Sequence, residues 1–253
     1  MAAVVLVHGA WHWGGCWAAV QARLEQQGCA VYAPSLSLHR GSTIHTHIDQ
    51  VVDLIREHDL AEIVLVGHSY GGVVVSGVLA RLPARIHHTV FLDAILPEPG
   101  RSPLAAVVPP AGLAVLQALT RLQPMWPPFI SADGFGVHDP ADAAWVDSQM
   151  RPHPADTVVA PFPYAPAYDP DRCTYVVCSE PIRISDQSSL LGKVMERFTS
   201  ASPLQAFAQR AAAAGWRAAE LPVGHDAMVI APDQVAALIS AVLPALAERA
   251  VGG

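Results

Sequence analysis

Ser69 lies in Gly67-His68-Ser69-Tyr70-Gly71-Gly72, between the run Val64-Leu65-Val66 and a small-residue, apolar stretch reaching about Leu82. A strand, the pattern G-x-S-x-G and a helix together describe a tight turn that lifts a serine hydroxyl clear of a sheet. Such a turn forces the serine into a strained backbone conformation, and a side chain at Gly67 or Gly71 would meet the neighbouring strand or helix. It also seats the serine at a helix N-terminus, where the dipole favours developing negative charge. A serine hydroxyl is a poor nucleophile at neutral pH and needs a base beside it. Leu221-Pro222-Val223-Gly224-His225-Asp226-Ala227-Met228 supplies a late histidine. A strand ends, a glycine permits a turn, and His225 lands on a loop before the terminal helix, where the chain order of such triads puts the base. His68 is adjacent to Ser69 but diverges from it in a tight turn, and His8 is expected to shape the first loop.

Acyl transfer also requires two N–H donors aimed at the oxygen that becomes negative. One is expected from the backbone of Tyr70, the residue after the nucleophile. The other is expected from the loop after the first strand, His8-Gly9-Ala10-Trp11-His12-Trp13-Gly14-Gly15, with Ala10 chosen and Trp11 next.

These residues must be held by alternating strands and helices, which implies a parallel sheet covered on both faces. The predicted strands are Ala3–His8, Ala30–Pro34, Glu62–His68, Thr89–Asp93, Thr174–Ser179 and Arg217–Val223. The valine-rich runs among them suit strands buried on both sides. The predicted helices are Trp17–Gln27, Ile48–His58, Gly72–Leu82, Ser188–Phe198, Pro203–Ala214 and Pro232–Ala247, the last with Pro244 placed to kink or end it. Between about Pro97 and Pro170 prolines crowd together and the alternation stops. Helical pieces are expected there at 111–122 and 141–150. The segment reads as a cap inserted over the carboxyl edge of the sheet, dividing the chain into a core of 1–96 with 171–253 and a cap of 97–170. Trp11, Trp126, Phe129 and Trp145 are the expected pocket walls. The cap aromatics, which also include Phe135, Phe162 and Tyr164, equally fit a role in holding the cap together.

The chain resembles the α/β-hydrolase superfamily, in particular its small branch of plant methyl-ester esterases, hydroxynitrile lyases and bacterial esterases. The matching pieces are Val5-Leu6-Val7-His8-Gly9-Ala10-Trp11-His12, the segment around Ser69, Phe91-Leu92-Asp93-Ala94-Ile95-Leu96-Pro97 and His225-Asp226-Ala227-Met228. The resemblance implies an α/β-hydrolase fold with about six mainly parallel strands, and no cofactor. Lyases of this branch carry threonine at the place of Gly9 and lysine at the place of Asp226, so the chain leans toward ester chemistry. It also departs from its relatives at the triad acid. Where they place an aspartate after the strand Tyr175-Val176-Val177-Cys178-Ser179, this chain has Glu180-Pro181. Asp93 is the first choice for the acid, as in some relatives that take it from the preceding strand. Glu180 is the second, and Asp186, or no acid at all, remains.

Composition narrows the classes further. The 253 residues are 52% hydrophobic and 15% charged, with a formal net charge of −7, which suits one α/β domain with a large core. The scattered basic residues argue against nucleic acid. No apolar run reaches the roughly 18–20 residues of a membrane span, and the short N-terminal run reads as a strand and not as a signal peptide. A cytoplasmic location follows as the expectation. Cys16, Cys29, Cys173 and Cys178 fit no metal spacing and are expected as small buried hydrophobes. No metal is expected at His39, His45, His47 and His58, which read as solvated loop and helix positions. The expected activity is hydrolysis of a carboxylic ester of a small to medium apolar substrate. Two alternatives stay open: a lyase, cyclase or other tailoring enzyme using the same serine and histidine, and a ligand receptor that has kept the triad. Oligomeric state is left open, a homodimer included.

Overall fold

The computed structural model describes residues 2–186, 188–198 and 203–244. Six parallel strands form one sheet: β1 (Ala3–Val7), β2 (Ala30–Tyr32), β3 (Ile63–His68), β4 (Ile86–Leu92), β7 (Cys173–Cys178) and β8 (Arg217–Leu221), in the order β2-β1-β3-β4-β7-β8. The two-residue strands β5 (Met125–Trp126) and β6 (His153–Pro154) pair antiparallel in a separate ribbon. The helices are α1 (Ala18–Gln26), α2 (Ile44–Glu57), α3 (Gly71–Arg81), α4 (Pro110–Leu122), α5 (Pro140–Gln149), α6 (Asp156–Val159), α7 (Leu190–Phe198), α8 (Pro203–Ala213), α9 (Ala227–Ile230) and α10 (Pro232–Ser240).

The two faces of the sheet are visible in the alternation along single strands. Val4, Leu6, Val64, Val66, Val90 and Leu92 pack with Trp17, Val20, Leu24, Val235 and Ile239, toward α1 and α10. Val5, Val7, Leu65 and Phe91 point the other way, into a core shared with α2, α3 and the segment between β4 and β7. Both faces of β1 and β3 are covered, so these strands are apolar at nearly every position, whereas the edge strand β8 is mostly exposed.

Three boundaries differ from the sequence expectation for identifiable reasons. α2 begins at Ile44, four residues before the expected Ile48, because Thr43 and Thr46 form a reciprocal capping box. β4 begins at Ile86 and not at Thr89, since Ile63 and Ile86 already pair across β3 and β4. α10 ends at Ser240, ahead of Pro244 and short of the expected Ala247; residues 241–244 are not helical, and 245–247 lie outside the described residues. The β5–β6 ribbon and the short α6 have no counterpart in the sequence reading. Among the described residues, no helix is long and apolar enough to cross a membrane.

Strand order fixes where a site can form. The chain runs from β1 outward to β2, then returns to place β3 on the other side of β1. A crevice opens at the carboxyl ends of strands where the order reverses in this way. The loop after β1 and the turn after β3 therefore face each other across it.

Candidate active site

Ser69 follows the last residue of β3 and has a φ of 53°, in the left-handed region that ordinary side chains rarely adopt. Its backbone is fixed from both sides. Its N–H donates to Leu92 O at 3.2 Å, and its carbonyl accepts from Gly72 N and Ile95 N at 3.0 Å each. The flanking glycines are required by contact: a Cβ on Gly71 would stand 2.4 Å from Val7 O, and one on Gly67 2.7 Å from Gly71 O. Both obstacles are backbone atoms, so the turn tolerates nothing larger.

Asp93 repeats the device one strand along. It follows β4 directly, has a φ of 43° and donates its N–H to Val176 O at 2.7 Å. Its two carboxylate oxygens have separate tasks. Oδ1 accepts the N–H of Cys178 at 3.1 Å, and Oδ2 lies 2.6 Å from Nδ1 of His225. Both side chains of this pair are 3% exposed, so the interaction is shielded from water and salt. A carboxylate accepts here, so His225 carries its proton on Nδ1, and Nε2 is the nitrogen left to take another.

The three acid candidates are thus separated by what each touches. Asp93 meets His225. Glu180 is engaged by His138, with Nε2 2.7 Å from Oε1, while His138 Nδ1 lies 2.9 Å from Asp133. Glu180 borders the same cavity, but its carboxylate is spent on this half-exposed cluster. Asp186 accepts from the hydroxyl and N–H of Ser188 and the N–H of Ser189, and these bonds hold its carboxyl well below the usual carboxylate range.

Ser69, Asp93 and His225 open onto one cavity of about 310 Å³, which Ala10, Tyr70 and Trp11 also border. Neither Ala10 N–H nor Tyr70 N–H donates to a backbone acceptor among the described residues. The remaining walls are largely apolar and come from two stretches: Leu104, Val107, Trp126, Phe129, Phe135 and Val158 with His153 from the segment between β4 and β7, and Pro181, Ile182, Ile184, Met195 and Leu204 from the chain after β7. The ribbon ties this roof to the floor, because Trp11 Nε1 donates to Trp126 O at 3.0 Å. Trp145 does not border the cavity. It is 41% exposed and sits edge-on to Trp13, with ring centroids 5.1 Å apart. The expectation that it lines the pocket is therefore corrected: α5 turns that face outward. The other aromatics divide between the two roles foreseen for them. Trp126, Phe129 and Phe135 border the cavity, whereas Phe162 is buried against Tyr164 within the roof.

Several histidines are buried around the site. His8 Nε2 accepts the N–H of Leu36 and its Nδ1–H donates to Gly9 O, pinning the loop after β2 to the loop after β1. Burial, partly countered by the bond to Gly9 and reinforced by nearby histidines, pushes its pKa down to about 3. His47 corrects the sequence reading of a solvated surface. It is fully buried on α2, donates Nε2–H to Ser37 O at 2.9 Å and accepts the hydroxyl of Tyr70 on Nδ1 at 2.9 Å. Burial lowers its pKa to about 4. It thereby holds the side chain of a residue that borders the cavity beside Ser69. His68 donates Nε2–H to the carbonyl of His225 at 3.0 Å and steadies the loop that carries the imidazole. His12 and Asp226, 2.9 Å apart and fully buried, form a contact for which the sequence offered no signal.

The model of the alpha/beta hydrolase family matches residues 4–238. A carbendazim hydrolyzing esterase from Nocardioides sp. (strain SG-4G) is 32% identical over 261 residues, covering 95% of this chain and 99% of that protein. Methylesterase 3 of Arabidopsis thaliana is 34% identical over 110 residues, 40% of this chain and 42% of its own. Among solved structures, an extracellular alpha/beta-hydrolase from a Paenibacillus species superimposes with a TM-score of 0.72 at 23% identity, covering 97% of this chain and all of that one (100%).

Proposed function

We propose that this chain, which belongs to the alpha/beta hydrolase family, hydrolyses carboxylic esters of small to medium apolar substrates through an acyl-enzyme on Ser69. The observation that carries the reading is the buried His225–Asp93 pair at 2.6 Å, sharing an apolar cavity with a serine in strained backbone geometry. Ser69 Oγ attacks the ester carbonyl while His225 Nε2 takes its proton. Asp93 keeps the proton of His225 on Nδ1 and stabilises the imidazolium as it forms. The N–H groups of Tyr70 and Ala10 hold the tetrahedral oxyanion, and α3 begins beside it with its N-terminus. His225 then protonates the departing alcohol. A water, activated by the same nitrogen, releases the acid and restores the serine.

The walls support this substrate class. A cavity of about 310 Å³ is at the lower end of ligand pockets, and its roof offers aromatic and aliphatic surface. The full-length relative named for hydrolysing carbendazim and the partial matches named methylesterases support ester cleavage. The lyase alternative rests on an absent acid, and the Asp93–His225 contact at 2.6 Å weighs against it.

Ser69→Ala is expected to abolish turnover of a p-nitrophenyl ester, by at least about 10⁴-fold, and to end labelling by a fluorophosphonate. Turnover or labelling that persists in that variant overturns the assignment.

A further inference from the structure

A second histidine–aspartate pair lies beside the first and takes no part in the chemistry described so far. His12 is 1% exposed and Asp226 is fully buried. His12 Nε2 stands 2.9 Å from Asp226 Oδ2, and His12 Nδ1 stands 2.9 Å from the carbonyl oxygen of Ala10. A carbonyl can only accept, so Nδ1 carries a proton. The proton between Nε2 and the carboxylate belongs on the imidazole, the stronger base. With that proton on the ring, His12 is a buried imidazolium with one donor for each loop.

The two ends of this bridge matter. Ala10 sits in the loop after β1, and its N–H is one of the two assigned to the oxyanion. The next residue, Trp11, has a φ of 63°, so the peptide between Ala10 and Trp11 is held in an orientation the chain does not adopt by itself. Asp226 directly follows His225, and its carbonyl accepts from Val229 and Ile230 at the start of α9. Asp226 Oδ1 is buried without a hydrogen-bond partner among the described residues, which leaves the carboxylate leaning on His12.

We infer that the His12–Asp226 ion pair is a positioning strut that locks the oxyanion loop to the loop bearing His225, and that it works only while His12 is charged. The inference rests on the roles given above to Ala10 and His225. Replacing either partner frees the Ala10 carbonyl and with it the backbone of Ala10, so the transition state loses an aligned donor, while among the apolar walls named above only Phe135 meets the pair, through the His12 ring and the Asp226 N–H.

The pH behaviour follows from the groups around the ring. His8 and His68 face it from the first loop and the end of β3, with His225 beside His68 and the thiol of Cys16 near Asp226. Burial keeps His8 and His68 neutral and pushes the Cys16 thiol up, so Asp226 is the charge that His12 meets. Burial also disfavours the His12 cation, but the charge and hydrogen bond of Asp226, with the bond to Ala10, outweigh it and raise its pKa. A raised value means the strut is fully charged below the ordinary histidine value of about 6.5 and is lost as pH rises through the folded one.

Asp226→Asn keeps the shape and removes the charge. The expected result is a fall in kcat of about 100-fold, the scale of an ångström-sized misplacement of a catalytic group. KM is expected within about threefold of its starting value, and the alkaline limb of kcat to move to lower pH. The double variant His12→Met, Asp226→Leu guards against a fold defect, because apolar replacement of a buried ion pair usually preserves stability. It is expected to unfold at a denaturant concentration near that of the wild type and still show the loss in kcat. Wild-type kcat in that folded double variant overturns the inference and reduces the pair to a packing element. In the unaltered protein, ¹⁵N-histidine NMR below about pH 6.5 is expected to show both ring nitrogens of His12 protonated, and a single-proton tautomer there contradicts the strut. Slowed but retained fluorophosphonate labelling of Ser69 in the variants separates this question from the assignment of the nucleophile.

Discussion

The carboxyl edge of the sheet holds its part of the site by backbone geometry, whereas residues 97–170 hold theirs by apolar packing. On the floor, Ser69 and Asp93 both sit at positive φ, each one residue beyond a strand, and each is tied by its N–H to the neighbouring strand. Polar side chains beneath them are paired across long sequence separations, as in His225 with Asp93. In the roof, prolines open short helices and Leu104, Val107, Trp126 and Phe129 present side chains without ionisable groups to the cavity. The floor fixes where charge develops during the reaction, and the roof fixes only what fits. Chemistry and selectivity should therefore respond to different substitutions.

The sharpest break would come at the acid. Asp93→Asn is expected to lower kcat by about 10⁴-fold, the cost of a wrong histidine tautomer, while Glu180→Gln stays within a few-fold because its carboxylate serves His138. Steady-state kinetics on one chromogenic ester checks both. Comparable losses from the two substitutions would dissolve the distinction drawn between them.

Backbone rigidity in the floor predicts a stability effect next. Gly71→Ala would press a methyl group against Val7 O at 2.4 Å, and such overpacking against backbone costs about 3 kcal/mol. A urea melt of the variant reads this as a lowered midpoint. An unchanged midpoint would mean that the turn gives way more readily than its contacts indicate.

The roof should answer with selectivity. Leu104→Ala enlarges the cavity by a few methylene groups and is expected to shift the ratio of kcat/KM between long-chain and short-chain esters about tenfold toward the longer. A series of p-nitrophenyl esters measures it, and a uniform drop across the series would place Leu104 in the machinery and not in the wall. Trp145→Ala marks the lower end of the scale. Its ring packs on Trp13 outside the cavity, and kcat/KM is expected to stay within about twofold.

The same division explains what could be read from the sequence. Ser69 and His225 are announced by local patterns, because a strained turn needs glycines at fixed offsets and a late loop histidine follows a strand end. The inner strands β1 and β3 are legible because double coverage makes them almost continuously apolar, whereas β8, with Arg217 and Glu220 exposed, is marked only by its place in the alternation. The acid is different in kind. Which carboxylate serves His225 depends on a contact between residues 132 positions apart, and no local pattern distinguishes Asp93 from Glu180. His47 did leave a signal: it falls on the stripe Ile44, His47, Ile48, Val51, Val52, Ile55, all buried on α2, and that helical spacing marks a core position. Trp145 shows the opposite error. A large aromatic beside a proline-rich segment suggests a pocket wall, but α5 exposes it. The His12–Asp226 pair was hidden because both residues lie in loops, where periodicity says nothing.

Acid quenching of the enzyme within milliseconds of mixing with a p-nitrophenyl ester, followed by mass spectrometry of the peptides, addresses the acyl-enzyme itself. One acyl group per active chain is expected on the peptide containing Ser69, and none in Ser69→Ala. Rapid turnover with the acyl group on another residue, or with no covalent species at any time, would contradict the acyl-enzyme on Ser69.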